Sequence, residues 1–553
     1  MRKQGMIATI VAIVVVFMIL VVTIVTKTAS RNDGIEPSNE LSLSELAEKV
    51  NATQAELTKG QVSLEDNNLY DELPEITKYP LAVEGSAEVN IEIFTSGEKA
   101  GKDTDSFLIE AAKKFNNAGV VTDSGKTVNI SVRSMQSGLG ADYIASGKYI
   151  PDLYTPSNLL FGEYCKANGG DISIGTERLV GNTAGILVKK DSGYKDINSV
   201  IADVQAGKLN LGYTNPQTSA TGLNLLLEIL KTADNSNLVS DKAVESFAKF
   251  NDNIPYVAYT TQQMRDSASN GSLDAIVSEY QSYVNDSNLK SMYDFMPFGV
   301  RHDNPLYICN ASVNNTDKIE AVDKVIEYLT SAEIQQIATA DGFNANDDYK
   351  SDYETNSSEV VNALKAYKKN KDSGKEILAV FVADCSGSMD GEPMQQLKES
   401  LSNGAKYIGD DCYIGLVSYS NDVSIDLPIN KFDFNQRSYL QGAVDNLVAN
   451  GGTATYDALA VAGKMIEDAK TDHPDAKCMI ILLSDGQANG GYSLSEVSYG
   501  IKQSGIPIYT ISYGEGADTD QLSQLSSINE AASINADSDD IIYKIKSLFN
   551  SQL

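Results

Sequence analysis

The sequence predicts an α/β protein with two folded units, each built from strands that alternate with helices. Strand-like and helix-like runs alternate from Glu88 to Phe343, and the alternation restarts at Glu376 with the nearly continuous apolar run ILAVFVAD. Strands buried on both faces of a parallel sheet have this apolar character. The length of 553 residues also exceeds what a single core can fill, which favours two or three domains.

These patterns divide the chain into five regions. They are a cytoplasmic tail and transmembrane signal anchor at residues 1–29, a stalk at 30–86, a two-lobed α/β unit at 87–346, a linker at 347–375, and a doubly wound, Rossmann-like α/β unit at 376–553.

The anchor is predicted from Met6 to Thr26, which is uncharged, almost entirely apolar and long enough to cross a bilayer as a helix. A cleavable signal would have a shorter apolar core followed by a small-residue site, so we expect the segment to be retained. If the short N-terminal tail stays inside, the protein is a single-pass cell-membrane protein and the bulk of the chain is extracellular.

The stalk at 30–86 is predicted because this region is polar, acidic and interrupted by proline. The alternative is an ordered N-terminal extension of the next unit. Residues 347–375 mix charges and turn formers around one short helix, ALKAYKK, and this composition is typical of an interdomain connection.

Composition excludes several functions. A net charge of -31 argues against nucleic acid as a partner, because such binding depends on clustered Lys and Arg. The five cysteines are widely spaced without a CxxC pair, and His302 and His473 are the only histidines. Two histidines are too few to favour a histidine-based zinc site or a Ser-His-Asp triad, and we expect no enzymatic activity.

Three predicted strand-end loops carry oxygen ligands. Asp384, Ser386 and Ser388 follow the first strand of the second unit, Thr453 precedes a helix, and Asp485 follows CMIILL. Such loops gather at the carboxyl edge of an open α/β sheet. Hydroxyls and a few carboxylates suit a hard cation, Mg2+ or alternatively Mn2+ or Ca2+, that still takes an external oxygen.

These motifs resemble the von Willebrand factor type A domain with its metal-ion-dependent adhesion site. The first loop matches the family's DxSxS, Thr453 in GGTATYDAL matches its second-loop threonine, and Asp485 in LLSDG matches its third-loop aspartate. The resemblance covers about residues 376–553. It implies a divalent cation that binds a protein partner through a carboxylate supplied by that partner.

The first unit resembles the bacterial periplasmic-type solute-binding proteins, in which two α/β lobes enclose a cleft. The segments that carry this resemblance are FTSGEKAG, SMQSGLGADYIASGKYIPDLYTPSN, the expected hinge crossing RLVGNTAGILVKKD, and IATADGF. The resemblance implies a small-molecule solute. Candidate ligand-binding residues are Ser96, Ser137, Thr218, Ser219 and Thr221.

Several of these five residues are expected at helix N-termini, where backbone N–H groups favour anions. The alternative is that they are only helix caps and turn residues, for which Ser and Thr are preferred. Two functions remain open. The first is a membrane-anchored surface protein that binds a protein partner through the metal site, and the second is a solute receptor of a transport or sensory complex.

Overall fold

The computed structural model describes residues 41–62, 69–254, 256–258, 264–265, 268, 273–370, 375–409, 412–513, 517–529 and 533–536. No helix among these residues is both long enough and apolar enough to cross a bilayer. The anchor predicted at 6–26 lies outside them, and so does the run DDIIYKIKSLF, whose pattern predicts a helix at 539–549.

The strands of the described residues are, in chain order, β1 (Thr53–Gln54), β2 (Leu81–Val83), β3 (Val89–Thr95), β4 (Val128–Ser134), β5 (Leu153–Thr155), β6 (Ile172–Thr176), β7 (Thr183–Lys189), β8 (Leu211–Thr214), β9 (Tyr256–Ala258), β10 (Ala275–Glu279), β11 (Tyr293–Arg301), β12 (Leu306–Cys309), β13 (Ile377–Asp384), β14 (Cys412–Tyr419), β15 (Val423–Lys431), β16 (Lys477–Ser484), β17 (Ile508–Tyr513) and β18 (Ser533–Ala536).

The helices of the same residues are α1 (Leu43–Ala47), α2 (Leu69–Glu72), α3 (Phe107–Ala118), α4 (Ser137–Ser146), α5 (Leu159–Ala167), α6 (Ile197–Gln205), α7 (Ala220–Ala233), α8 (Asp241–Asn251), α9 (Tyr280–Asn285), α10 (Ser287–Met292), α11 (Thr316–Leu329), α12 (Ala332–Ala340), α13 (Ser357–Asn370), α14 (Glu392–Gly404), α15 (Phe434–Asn446), α16 (Thr455–Lys470), α17 (Leu494–Ser504) and α18 (Thr519–Ser527).

The first unit has two lobes, each built on its own sheet. The first lobe contains the sheet β2-β4-β3-β5-β12-β6, and the second contains β11-β7-β10-β8-β9. The chain crosses between the lobes at residues 177–182 and returns at 302–305. The two crossings are paired, because the N–H of Leu179 donates to the carbonyl of Asn304 at 3.1 Å. The first crossing falls within the segment predicted as a hinge.

The second unit is built on a sheet in the order β1-β15-β14-β13-β16-β17-β18. Strand β13 is central, buried over all eight residues, and parallel to both β14 and β16. Its alternate side chains enter the cores on opposite faces of the sheet, for example Phe381 on one face and Val382 on the other. The prediction of a doubly wound sheet is confirmed over the described residues.

The stalk prediction is wrong for residues 41–62, which form part of the second unit. Helix α1 packs against α16, with Leu43 and Leu46 buried in the core on that face of the sheet. Gly463 of α16 allows this approach, since a Cβ atom there would lie 2.4 Å from Cδ1 of Leu43. The sequence pattern does not predict this packing, because the helix α1 has only five residues and its apolar positions are too few to indicate a buried face.

Strand β1 continues the contact by pairing in parallel with the edge strand β15. The N–H of Ala55 donates to the carbonyl of Ile425 at 3.0 Å, and that of Gly60 donates to the carbonyl of Ser438 at 2.8 Å. The segment therefore adds an edge strand to the C-terminal sheet. The two-lobed unit is consequently inserted between two pieces of the second unit.

The remaining described part of the predicted stalk, residues 69–86, belongs to the first lobe. Leu73 is buried in its core, the hydroxyl of Tyr143 donates to the carbonyl of Pro74 at 2.7 Å, and β2 pairs with β4. The alternative of an ordered extension of the two-lobed unit is therefore correct for these residues. The polar composition of this segment predicts an exposed chain, but a few of its residues are buried and bind the first lobe.

The predicted linker also packs over its described residues. Helix α13 lies against the two-lobed unit, where Lys231 of the second lobe contacts Glu359 at 3.1 Å. The ring of Tyr367 packs against that of Phe247 with centroids 5.7 Å apart. Residues 347–370 thus extend the first unit, and the described chain resumes at residue 375, two residues before β13.

Candidate functional site

The centre of the predicted metal site is Asp384, the last residue of β13, whose side chain is buried. One carboxylate oxygen accepts the N–H of Ser386 at 2.9 Å. The other accepts the hydroxyls of Tyr419 at 3.0 Å and Ser484 at 2.6 Å. These three donors fix the orientation of the carboxylate at the carboxyl edge of the sheet.

Burial raises the pKa of Asp384 above its ordinary value, and the negative charge of Asp485 adds to the increase. Hydrogen bonds from Ser386 and Ser484 oppose it. A carboxylate whose pKa is raised by burial and by a neighbouring negative charge is stabilised in its ionised form by a nearby cation. The electrostatics of this edge therefore fit a cation.

The first loop brings its two serine hydroxyls together. The Oγ atoms of Ser386 and Ser388 lie 3.1 Å apart. Ser386 is buried and Ser388 is exposed, so the pair extends from the sheet edge to the surface. Two adjacent hydroxyls of this kind can supply neutral oxygen ligands from the same side.

The second loop is held by asparagine side chains. The N–H of Thr453 donates to Oδ1 of Asn489 at 2.8 Å, and that of Gly452 donates to Oδ1 of Asn421 at 2.8 Å. Gly451 adopts φ 78°, a left-handed conformation that favours glycine. The carbonyl of Gly451 accepts the N–H of Gly387 at 3.0 Å, which ties this loop to the first one.

The third loop carries Asp485 directly after β16. Oδ1 of Asp485 accepts the N–H of Gln487 at 3.1 Å. The loop is tied to the first loop through the bond between Ser484 and Asp384, and to the second because the N–H of Asn489 donates to the carbonyl of Thr453 at 3.0 Å. The three predicted loops are therefore joined pairwise at one edge of the sheet.

The donor set fits a hard divalent cation. Asp384, Ser386, Ser388, Thr453 and Asp485 offer only oxygen atoms, three of them hydroxyls, which suit Mg2+ and Ca2+ better than soft metals. No group of three or more His, Cys, Asp or Glu side chains suited to a metal occurs within the described residues.

Two residues that hold the site were missed by the sequence analysis. Tyr419 ends β14 and Ser484 ends β16, and both donate to Asp384. Their positions at the ends of strands that flank β13 were the available signal, because strand ends meet at the same edge of a parallel sheet.

A second candidate site is the cleft between the lobes of the first unit. Its volume is about 930 Å3, and all five predicted ligand-binding residues line it. They are Ser96, Ser137, Thr218, Ser219 and Thr221. These residues are far apart in the sequence and belong to both lobes, but the fold brings them together around one cavity.

The cleft residues differ in what their side chains already bind. Ser219 caps α7 by accepting the N–H of Gly222, so the alternative role predicted for it as a helix cap is present. Ser137 is the first residue of α4, and its hydroxyl accepts the N–H of Ser157 at 3.3 Å. In contrast, the buried hydroxyl of Thr218 has no hydrogen-bond partner among the described residues.

Two buried carboxylates in the cleft wall were also missed. The hydroxyl of Ser96 donates to Glu98 at 2.5 Å, and that of Thr221 donates to Glu279 at 3.1 Å. Nδ1 of His302 lies 2.9 Å from the same oxygen of Glu279. No local pattern distinguishes these glutamates from surface ones, so only the fold could place them here.

Comparisons with known proteins agree with this division. Residues 379–549 match the family model described as von Willebrand factor type A domain, and residues 100–344 match the one described as bacterial extracellular solute-binding protein. Inter-alpha-trypsin inhibitor heavy chain H3 of Mus musculus is 30% identical over 171 residues, which cover 29% of this chain and 19% of that protein. The chain thus spans about a fifth of the length of this curated relative.

Two solved structures are also similar. A von Willebrand factor type A protein from Catenulispora acidiphila is 24% identical, with a TM-score of 0.29, over 32% of this chain and 42% of its own. A periplasmic thiamin binding protein is 14% identical, with a TM-score of 0.40, over 52% of this chain and 98% of its own. On the two family matches, the chain combines a bacterial extracellular solute-binding domain at residues 100–344 with a C-terminal von Willebrand factor type A domain at residues 379–549.

Proposed function

We propose that this protein is a non-enzymatic, membrane-anchored surface protein that binds a protein partner through a divalent cation. The cation would be held by Asp384, Ser386, Ser388, Thr453 and Asp485. The observation that carries the proposal is that these residues lie on three loops that are tied pairwise at the carboxyl edge of one sheet.

The chemistry follows from the ligand set. A divalent cation, Mg2+ or alternatively Mn2+ or Ca2+, would supply an electrophilic centre with room for an outside oxygen. Three of the five side chains are neutral hydroxyls, and Asp384 already accepts three hydrogen bonds. The five side chains therefore contribute little negative charge at the exposed side of the site, which favours a carboxylate from the partner.

The location of the site is part of the proposal. The apolar segment 6–26 supports a single membrane span, and a tail kept inside would place the rest of the chain outside the cell. The net charge of -31 supports a protein partner over nucleic acid.

Capture of the partner from the protein's own cells tests the proposal. The full chain, tagged and solubilised, should retain a partner in Mg2+ and release it in chelator. The variant Ser388→Ala should fail to capture it, and Asp384→Ala should fail as well. Ser388 is the more informative position because it is exposed and, among the described residues, its side chain forms a hydrogen bond only with Ser386 of the same loop.

Asp390→Ala is the matched control, because Asp390 is an exposed carboxylate next to the same loop but outside the five-residue set. It should capture the partner as well as the unmodified protein does. Capture that is indifferent to chelator and to the loss of Ser388 would refute metal-dependent binding.

A second function, a receptor for a small solute, is supported by the cleft. A polar cavity of about 930 Å3 between two lobes, lined by all five predicted residues, is large enough for a metabolite-sized ligand. A ligand that binds the folded state raises its stability. Thermal denaturation of the full chain with anions, sugars, peptides and amines tests this function, and no stabilisation by any of them would count against it.

A further inference from the structure

We propose that the cleft between the lobes takes a solute that carries a protonated amine rather than an inorganic oxyanion. This inference rests on the proposed solute-binding function and names the chemical class of its ligand. Three observations in the cleft wall support it. Most of the charged residues that line the cleft are acidic, two buried polar atoms lack a hydrogen-bond partner among the described residues, and an N–H group at the N-terminus of α4 already donates a hydrogen bond within the protein.

The charged residues that line the cleft are mostly acidic. They are Glu98, Asp103, Asp105, Glu279 and Asp286, against Lys102 and Arg265. The two most buried of them are Glu98 and Glu279, whose side chains are 9% and 4% exposed. Lys102 is exposed at the rim, and Arg265 is engaged with Asp105 at 3.0 Å.

Glu98 remains ionised in this wall. Burial alone would raise its pKa, but the charge of Lys99 and the hydrogen bond from Ser96 outweigh that effect and hold the pKa well below its usual range. Lys99 does not line the cleft, and its ammonium group also donates to the buried Asn304 at 2.6 Å. The same ammonium group lies 2.9 Å from Oε1 of Glu98, so the two residues form an ion pair of which only the carboxylate lines the cleft.

Unpaired polar atoms lie in the same wall. The hydroxyl of Thr218, a residue only 3% exposed, has no hydrogen-bond partner among the described residues, and neither has the buried amide oxygen of Gln136. Buried polar atoms without partners are costly, so these two atoms point to a ligand that satisfies them. An amide oxygen only accepts, so its missing partner must be a donor such as an N–H group.

An oxyanion is disfavoured at this position. It would bring like charge next to the buried carboxylate of Glu279, which forms no ion pair with Lys or Arg among the described residues, and next to the carboxylate of the Glu98–Lys99 pair. Repulsion between buried charges is weakly screened. The N-terminus of α4, which could attract an anion, is partly occupied because the N–H of Gly138 already donates to the carbonyl of Thr218 at 3.0 Å. Helix N-termini by themselves favour an anion in the cleft. The acidic side chains of the cleft wall oppose this preference.

The test uses the full chain with defined probes. Ethanolamine, putrescine and spermidine are the amines, 1,4-butanediol is the neutral analogue of putrescine, and sulfate is the oxyanion. We expect at least one amine to raise the melting temperature and to bind in isothermal titration calorimetry, with no effect of butanediol or sulfate. Glu98→Gln should weaken amine binding about ten-fold or more, because a charged hydrogen-bond partner is lost.

Glu98→Gln removes the ion-pair partner of Lys99 and could impair folding for that reason. Glu279→Gln is therefore a second variant, and it should also weaken amine binding. Glu327→Gln is the matched control, since Glu327 is exposed on α11 and does not line the cleft. It should leave the affinity unchanged.

The outcomes separate this inference from the function on which it rests. Stabilisation by sulfate but by none of the amines would overturn the amine inference and leave the solute-binding function standing. Equal binding by putrescine and butanediol would also overturn it. No stabilisation by any probe would overturn the inference and remove support from the solute-binding function as well.

Discussion

Truncation of Leu43 to alanine is the most direct test of the finding that residues 41–62 belong to the von Willebrand factor type A domain. Leu43 is 1% exposed and packs on α16 at Gly463. Leu→Ala substitutions in protein cores cost about 2–5 kcal/mol. Because α1 has only five residues and lies on the outside of α16, we expect the lower part of this range, about 2–3 kcal/mol.

Hydrogen exchange measured by mass spectrometry reports this cost locally. The N–H groups of Ala55 and Gly60 are suitable reporters, because both donate to the C-terminal sheet or its covering helix, at Ile425 and Ser438. A loss of about 2–3 kcal/mol corresponds to exchange faster by about 30- to 150-fold where the segment opens locally. Amides of the first lobe should exchange as before.

Leu57→Ala is the matched control, since Leu57 lies in the same segment but is 42% exposed. It should change the exchange rate only slightly. The reasoning would be refuted if Ala55 and Gly60 exchanged without protection in the unmodified protein, as in a stalk, or if Leu43→Ala left their exchange unchanged.

Three further predictions follow from the same contacts and charges. Gly442→Ala should also expose residues 53–60 to exchange, because its Cβ atom would lie 2.1 Å from the carbonyl oxygen of Thr58, and such overpacking costs about 1–3 kcal/mol. Burial, together with the charge of Asp352, raises the pKa of Glu228 from 4.5 to about 7, so its ionised form is unfavourable in the fold. Glu228→Gln should therefore stabilise the solute-binding domain above pH 7 by about 3 kcal/mol, and urea denaturation should show this gain shrinking as the pH falls from 7 towards 4.5. Ser388→Ala should lower Mg2+ affinity about ten-fold or more in calorimetry, since even indirect metal contacts are worth that much, while the melting temperature in chelator stays the same.

The C-terminal domain was the part best predicted from sequence. The run ILAVFVAD forms β13. The sequence pattern also predicts helices at 393–406, 456–469 and 494–503, and their ends lie within about two residues of those of α14, α16 and α17. These elements have strong local signals, because a strand buried on both faces must be apolar throughout and an amphipathic helix repeats every 3.6 residues.

The polar segments were predicted poorly. The stalk prediction took acidic, proline-containing composition as evidence of exposed chain, and the linker prediction took mixed charges and turn formers as evidence of an interdomain connection. In the structure, β1, α2 and α13 all pack against folded units. Each of these contacts depends on a few residues that meet partners far away in sequence, as in the ion pair between Lys231 and Glu359 of α13. A two-residue strand has no periodicity for a sequence pattern to reveal.

The candidate sites show the same division. The candidate ligands Asp384, Thr453 and Asp485 could be named in advance because each follows or precedes a recognisable element, and parallel strands bring their carboxyl ends to one edge. The support of Asp384 by Tyr419 and Ser484 was not predicted, because the position of these residues at strand ends is a usable signal only once it is known which strands flank β13.

By itself, the sequence determined the two α/β units, the order of their main elements and the oxygen-rich loops of the second unit, because these depend on local apolar patterns and on short motifs. Only the tertiary structure decided that the solute-binding domain is inserted into the other domain, and that Glu98 and Glu279 make the wall of its cleft acidic. Both outcomes depend on long-range contacts. Strand pairing and the burial of a charge are decided by partners that the neighbouring sequence does not contain.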